Sequence, residues 1–233
     1  MKLLFFSDIH GNNHAFDAFI KTLSAQKSQY KLVFLGDFIG YYYGANEIIS
    51  YCRENNISCI LGNHDQYFLN ILDGKLSLEK LVMKYGYSYE IALNTVSTEN
   101  IDFLRQLDKS KVLISNNKKA YVCHGSPLNN LEGRIYPDTD LSIFKTAVKD
   151  FDYVVTGHTH HKMDRNYAST IFLNPGSLGQ QRDGKGCSYM ALDLEEDAYS
   201  FHTVNYSIAS LESEIDFYDK DRSGLKEVLR RKR

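Results

Sequence analysis

Aspartate, asparagine and histidine gather at five places in the 233-residue chain, each directly after a short apolar run. The blocks are Asp8-Ile9-His10, Gly36-Asp37-Phe38-Ile39-Gly40, Gly62-Asn63-His64-Asp65, His124-Gly125 and Gly157-His158-Thr159-His160. Five of the eight histidines fall in them, a concentration that random scatter does not produce. Carboxylate, amide and imidazole donors without thiolate suit Mn, Fe, Zn or Ni better than Ca or a soft-metal site. At an extended strand end, residues i and i+2 share a face, so Asp8 and His10, and His158 and His160, are expected to point the same way. Seven candidate ligands are too many for one ion. They fit two ions that share a bridging carboxylate. A pair of divalent ions roughly 3.5–4 Å apart clamps a phosphate and generates a hydroxide at neutral pH.

Such a site needs strands that deliver their carboxyl ends to one edge. Lys2–Ser7 is a continuous apolar run suited to a strand buried on both faces. Ala15, Ala18, Phe19, Thr22 and Leu23 follow at helical spacing. Lys31–Leu35 reads as a second strand, Ala45, Ile48, Ile49 and Cys52 as a helix stripe, and Ile57–Leu61 as a third strand. This β-α-β-α-β opening predicts an α/β sheet with helices on its faces. Ligands of open α/β sheets bind just beyond the carboxyl ends of the strands, where the five blocks lie. Residues 66–108 are helical by pattern. Strands return at Lys111–Ser115 and Ala120–His124, joined by the turn dipeptide Asn116-Asn117. Four more follow at Tyr153–Thr156, Thr170–Leu173, Cys187–Leu194 and Tyr199–Val204. Ile208, Leu211, Ile215 and Tyr218 share one face of a closing helix, with either the same domain or a second subunit as partner. With no linker or repeat in view, residues 1–233 read as one domain with a helical tail over 206–233.

Composition narrows the function classes. Apolar residues make up 43% and charged ones 24%, as in globular proteins. Lys plus Arg number 27 against 29 Asp plus Glu, so the net charge of −2 argues against a nucleic-acid binder, which carries excess positive charge. The basic end Arg230–Arg233 reads as a solvated helix terminus. Cys52, Cys59, Cys123 and Cys187 have no CxxC spacing and are expected as reduced, mostly buried thiols. The N-terminal apolar run is too short for a signal peptide and nothing approaches a membrane span, so the expected location is the cytoplasm.

The five blocks, in this order, resemble the motifs of the calcineurin-like metallophosphoesterase superfamily. The stretch Asn174-Pro175-Gly176-Ser177-Leu178-Gly179-Gln180-Gln181-Arg182-Asp183-Gly184 is similar to one in a bacterial phosphodiesterase branch of it, and the likeness covers nearly the whole chain. The resemblance implies a four-layer α/β/β/α sandwich, two mixed sheets flanked by helices, with a dinuclear metal site at the strand ends. It implies two divalent ions, manganese first, with Fe, Ni or Zn as alternatives. Asp8, His10 and His160 would hold one ion, Asn63, His124 and His158 the other, and Asp37 would bridge them. His64 would be the general acid, with Asp65 orienting it. Arg182 and Tyr41 are the candidate substrate contacts. The implied substrate is a small phosphodiester or phosphoanhydride, nucleotides among them. The alternatives are a phosphomonoesterase of the same fold and a non-catalytic scaffold, as the retromer subunit of this fold is. The oligomeric state stays open.

Two stretches depart from the branch pattern. Tyr41-Tyr42-Tyr43-Gly44 stands where Tyr-Gly-Pro is usual, which implies a differently shaped substrate pocket. Gln181 stands where Pro is usual and reads as a local backbone effect. Outside the blocks, His14 reads as a solvated helix residue, His161 as a near-surface one and His202 as a strand residue. Arg182 has a surface salt bridge as its plainer explanation, and Tyr41–Tyr43 have simple loop packing as theirs. Asn174–Ser177 reads as a turn.

Overall fold

A computed structural model describes residues 1–25 and 30–231; of the basic C-terminal end, residues 232 and 233 lie outside the described residues. Its ten strands form two five-stranded sheets. In the first, β1 (Lys2–Phe6) pairs in parallel with β2 (Lys31–Phe34), and β2 with β3 (Ser58–Cys59). On its other side β1 runs antiparallel to β9 (Ser188–Asp193), which pairs with β10 (Ala198–Thr203). The second sheet has β5 (Lys118–Cys123), β6 (Tyr153–Val155) and β8 (Thr170–Pro175) in parallel. Antiparallel edges β4 (Ser110–Ser115) and β7 (Lys162–Tyr167) complete it.

The period-two alternation of β1 divides the core. Leu4 and Phe6 face a helical layer made by α1 (Asn13–Ser24), α2 (Ala45–Glu54) and α3–α6 (α3 Asn63–Leu72, α4 Leu78–Tyr85, α5 Ser88–Thr95, α6 Thr98–Arg105). Leu3 and Phe5 face the second sheet, against Ala120, Val122, Tyr153 and Val155. Each such side chain contributes about 1.5–3 kcal/mol on leaving water, so the run at the start of the chain anchors two layers at once. The fourth layer is thin. A single 3-10 turn at Leu141–Phe144 continues into α7 (Lys145–Val148) and covers Val154 and Phe172.

The expected strands are all present, with ends that move by a residue or two: β1, β2, β3, β6 and β9 are shorter than expected, whereas β4 and β5 start earlier and β8 runs on to Pro175. Asn116 and Asn117 both adopt positive φ (47° and 64°), which a tight hairpin between twisted strands requires. Strand β7 was not expected. Its sequence Lys-Met-Asp-Arg-Asn-Tyr is polar because it lies at the sheet edge, where only Met163 is fully buried. The tail forms two helices, α8 (Ala209–Tyr218) and α9 (Ser223–Arg230). The α8 stripe packs on its own chain: Leu211, Ile215, Leu225 and Leu229 enclose Tyr42. All four cysteines are free and buried. Among the described residues no helix is long and apolar enough to cross a membrane.

Candidate metal centre

All seven expected ligands, with His64 and Asp65, come together at the carboxyl ends of β1, β2, β3, β5 and β6, and each is at least 93% buried. The loops that carry them brace one another. Asp8 N–H donates to Gly36 O (3.1 Å), His10 N–H to Asp37 O (2.9 Å), and Gly157 N–H to His124 O (2.9 Å). His158 N–H reaches both Asp8 carboxylate oxygens (3.2 and 3.1 Å), which ties the first sheet to the second. Asn174 and Ser177, expected as a plain turn, clamp two of these loops. Asn174 Nδ2 donates to Gly157 O (2.7 Å) and Ser177 Oγ to Asp8 O (2.8 Å).

One expectation about the backbone needs correction. Asp8 and His10 do not share a face by extending the strand. Asp8, His10, Asp37, His158 and His160 all adopt left-handed conformations, φ 53–67°. Asp and His tolerate this region better than β-branched residues do, yet each such residue stores of order 1–3 kcal/mol. The core and the interloop hydrogen bonds hold them there, and the turn folds each side chain back over the strand end. Close approach has the same origin: a Cβ on Gly62 would lie 2.1 Å from Asp37 Oδ1.

The histidine orientations follow from their outer nitrogens. Nδ1 of His10, His124 and His160 faces the carbonyls of Ile39 (3.0 Å), Leu35 (2.7 Å) and Gln180 (2.5 Å). A carbonyl accepts only, so Nδ1 carries the hydrogen and the Nε2 lone pair points into the site. There acceptor meets acceptor. His10 Nε2 lies 3.1 Å from His160 Nε2, His160 Nε2 lies 3.3 Å from Asp8 Oδ1, and His124 Nε2 lies 2.9 Å from Asn63 Oδ1. Asp37 Oδ2 is buried without a hydrogen bond of good geometry, 3.2 Å from His124 Nε2 and 3.7 Å from His10 Nε2. Facing lone pairs and an orphaned carboxylate oxygen repel one another unless a cation sits among them. The donor set therefore fits divalent metal. Three groups have donor atoms within 4.8 Å of each other: Asp8, His10 and His160; His10, Asp37 and His64; Asp37, His124 and His158.

Without metal, protons share out this charge. Burial opposes a proton on His124, but the Asp37 carboxylate outweighs it and lifts the imidazole to about 9. Burial would also raise Asp37, yet His124 and His64 hold it well below the usual carboxylate range. Burial pushes His10 down to about 4 and His158 to about 3.

His64 and Asp65 occupy the first turn of α3. The expected contact between them is absent. Asp65 turns its oxygens to the N–H of Gly62 (3.1 Å), which precedes its own helix, and to those of Asp37 (2.9 Å), Phe38 (2.9 Å) and Ile39 (3.2 Å) in the loop after β2, so it ties that loop to the start of α3. Burial and the nearby Asp37 charge raise its carboxyl to about 7, against the pull of those donors. Nδ1 of His64 instead meets the Tyr89 hydroxyl at 2.8 Å. Burial drives the His64 imidazole well below its ordinary value.

Above the ligands lies a cavity of about 290 Å³, walled in part by His64, Tyr41 and Arg182. Among the described residues Arg182 makes no salt bridge; Nη2 donates to the Tyr41 hydroxyl (2.8 Å) and to Gln180 Oε1 (2.9 Å). Lys84, Tyr85 and Arg134 also line this cavity and were missed. None lies in a motif, and only the fold brings them here. The residues outside the blocks are mostly structural: His14 meets Glu214 of α8 at 2.8 Å, His161 holds Thr159 O, and His202 stacks on Tyr189.

The two mixed sheets and the convergent strand-end ligands define a metallophosphoesterase fold. Residues 1–197 match the calcineurin-like phosphoesterase superfamily domain, and the chain belongs to that superfamily. An uncharacterized protein of Methanocaldococcus jannaschii, MJ0912, is 29% identical over 226 residues, covering 87% of this chain and 86% of that protein. A metallophosphoesterase structure from Sphaerobacter thermophilus superposes with a TM-score of 0.75 at 24% identity, over 99% of this chain and 98% of that one. Hypothetical protein PH1004 from Pyrococcus horikoshii OT3 superposes with a TM-score of 0.80 at 20% identity, over 98% and 97%. At these identities the two structures establish the fold.

Proposed function

We propose that the chain hydrolyses small phosphodiesters or phosphoanhydrides, nucleotides among them, with two divalent ions, manganese first. Asp8, His10 and His160 would hold one ion, Asn63, His124 and His158 the other, with Asp37 between them. The observation that carries the reading is the cluster of inward-facing donor atoms on His10, His160, Asp8, His124 and Asn63, which protons relieve in part and two divalent cations would relieve together. When bound, such ions neutralise phosphate oxygens and lower the pKa of a water.

The chain's own residues supply the rest. Water adds across the P–O bond: its oxygen joins phosphorus, and the ester oxygen leaves with a proton from His64. Tyr89 fixes the His64 ring at Nδ1, which leaves Nε2 for that transfer. Burial disfavours the charged ring, and an arriving phosphate anion favours it. Arg182 and Arg134, both on the cavity wall and free of carboxylate partners among the described residues, hold the remaining phosphate oxygens. A cytoplasmic setting belongs to the same reading, since four free thiols fit a reducing compartment.

The test is hydrolysis of bis(p-nitrophenyl) phosphate by chelator-stripped protein with Mn, Ni, Fe or Zn restored. Metal-dependent turnover that the chelator abolishes is expected. Turnover of monoesters alone would make the chain a phosphatase, and no turnover with any ester or metal would leave a scaffold.

A further inference from the structure

The two edges of the second sheet are built differently. Edge β7 carries Lys162, Asp164 and Arg165, charges that discourage pairing with another chain. Edge β4 carries one charge, Lys111, and presents Val112 and Ile114 at 47% and 61% exposure. The thin helical layer that covers Val154 and Phe172 does not reach them. The register of β4 with β5 is unbroken from Ser110 to Ser115, so no bulge bends the edge away.

The hairpin decides which backbone groups stay free. Ser115 and Lys118 flank the two-residue loop Asn116-Asn117, and such a flanking pair exchanges both its hydrogen bonds. Bonded and non-bonded pairs alternate, so Lys111, Leu113 and Ser115 turn their N–H and C=O groups to β5. Ser110, Val112 and Ile114 turn theirs outward, where no backbone group among the described residues bonds to them.

We infer that this edge docks β4 of a second copy of the chain, the two strands running antiparallel about a twofold axis at Leu113. Val112 then exchanges backbone hydrogen bonds with the partner's Ile114, and Ile114 with the partner's Val112, an apolar pair each time on the outer face. Lys111 falls opposite the partner's Ser115. The charges select this register. Ser115 Oγ donates to Glu195 Oε1 (3.2 Å), and the N-terminal amine lies 2.7 Å from the same oxygen. Glu195 Oε2 and the Lys111 ammonium have no partner among the described residues. Lys111 shares the inner face with Leu113 and Ser115, and Cα atoms of a directly opposed pair of this kind lie about 4.5 Å apart. The Lys111 ammonium is thus brought to the partner's Glu195, and the twofold makes the ion pair twice. An axis at Lys111 would set like charges together, and one at Val112 would press Lys111 on the partner's Leu113.

Sedimentation velocity of the full chain is the test. The wild type is expected to be a dimer at micromolar concentration. Lys111→Glu turns two exposed ion pairs into two repulsions and should raise the dimer Kd about tenfold. Adding Glu195→Lys to that variant should bring the Kd back. Ile114→Pro removes an N–H that only the partner would use, so it should weaken the dimer and leave the circular dichroism of the monomer unchanged. Where Ile114→Pro fails to fold, Lys111→Glu and its rescue decide. Lys80→Glu, the same charge change on an exposed position of α4, should leave the dimer as it is. A wild type that stays monomeric overturns the inference and leaves the edge to a different protein. A dimer that Lys111→Glu does not weaken, or that the charge swap does not restore, is built on another surface and overturns it as well.

Discussion

Asp37 has one carboxylate oxygen fixed and one free. Oδ1 accepts the His64 N–H at 2.8 Å, and Oδ2 faces His10 and His124. Asp37→Asn keeps the first contact and removes the anionic charge of the second. Metal content measured after dialysis, and turnover, should fall together; full occupancy would remove Asp37 from the bridging position. His64 separates differently. His64→Ala should lower kcat roughly 10²–10⁴-fold for alkyl leaving groups, which need a proton, and much less for nitrophenolate, with metals retained. An equal loss for both leaving groups would deny it the acid role. Tyr89 touches only the far side of that ring. Tyr89→Phe should lower kcat about tenfold and leave KM alone, as loss of a supporting hydrogen bond does at a metal site. A change confined to KM would place Tyr89 in substrate binding instead.

At the scale of elements, the strand ends were legible because apolar runs and the polar blocks after them are both local signals. The seven candidate ligands and His64, which the structure brings together, came into view for that reason. Strand β7 was hidden by its polar edge position, and Lys84, Tyr85, Tyr89 and Arg134 by lying far in sequence from every block they meet. The left-handed ligand turns were not legible either, since tertiary bracing selects them. The tail joins both stretches that depart from the branch pattern. Tyr42 is enclosed by α8 and α9, Tyr43 donates to Asp219 (2.9 Å), and Gln181 Nε2 donates to Arg231 O (3.2 Å). Gln181 is thus a tie between the site loop and the end of α9, more than a local backbone effect. Ile215→Ala should cost about 2–5 kcal/mol, read as a lower urea midpoint with unchanged slope. A midpoint within error of the wild type would mean that the tail is not part of the cooperative unit.

Over the whole molecule the charge is −2, a poor match for an anionic substrate. The site reverses that locally. Lys84, Arg134 and Arg182 face one cavity, and two divalent ions would outweigh the charges of Asp8 and Asp37. The same ions would link the two sheets, because Asp8 and Asp37 follow strands of the first and His124, His158 and His160 follow strands of the second. Removing them would leave the donor atoms of the two sheets facing one another across the sandwich. Metal binding should therefore stabilise the fold itself. At a free metal concentration of about 100 Kd the gain is about 2.7 kcal/mol, and each kcal/mol raises Tm by roughly 2–4 °C in a chain this long. Manganese added to stripped protein should thus raise Tm by roughly 5–10 °C. The rise should shrink as the buffer is taken below about pH 9, where a proton on His124 competes with the metal, and vanish towards about pH 4, where His10 takes one as well. Asp37→Asn should abolish most of it. A Tm that ignores manganese in the wild type, at neutral pH and saturating metal, would mean that the facing lone pairs are relieved by something other than a divalent ion.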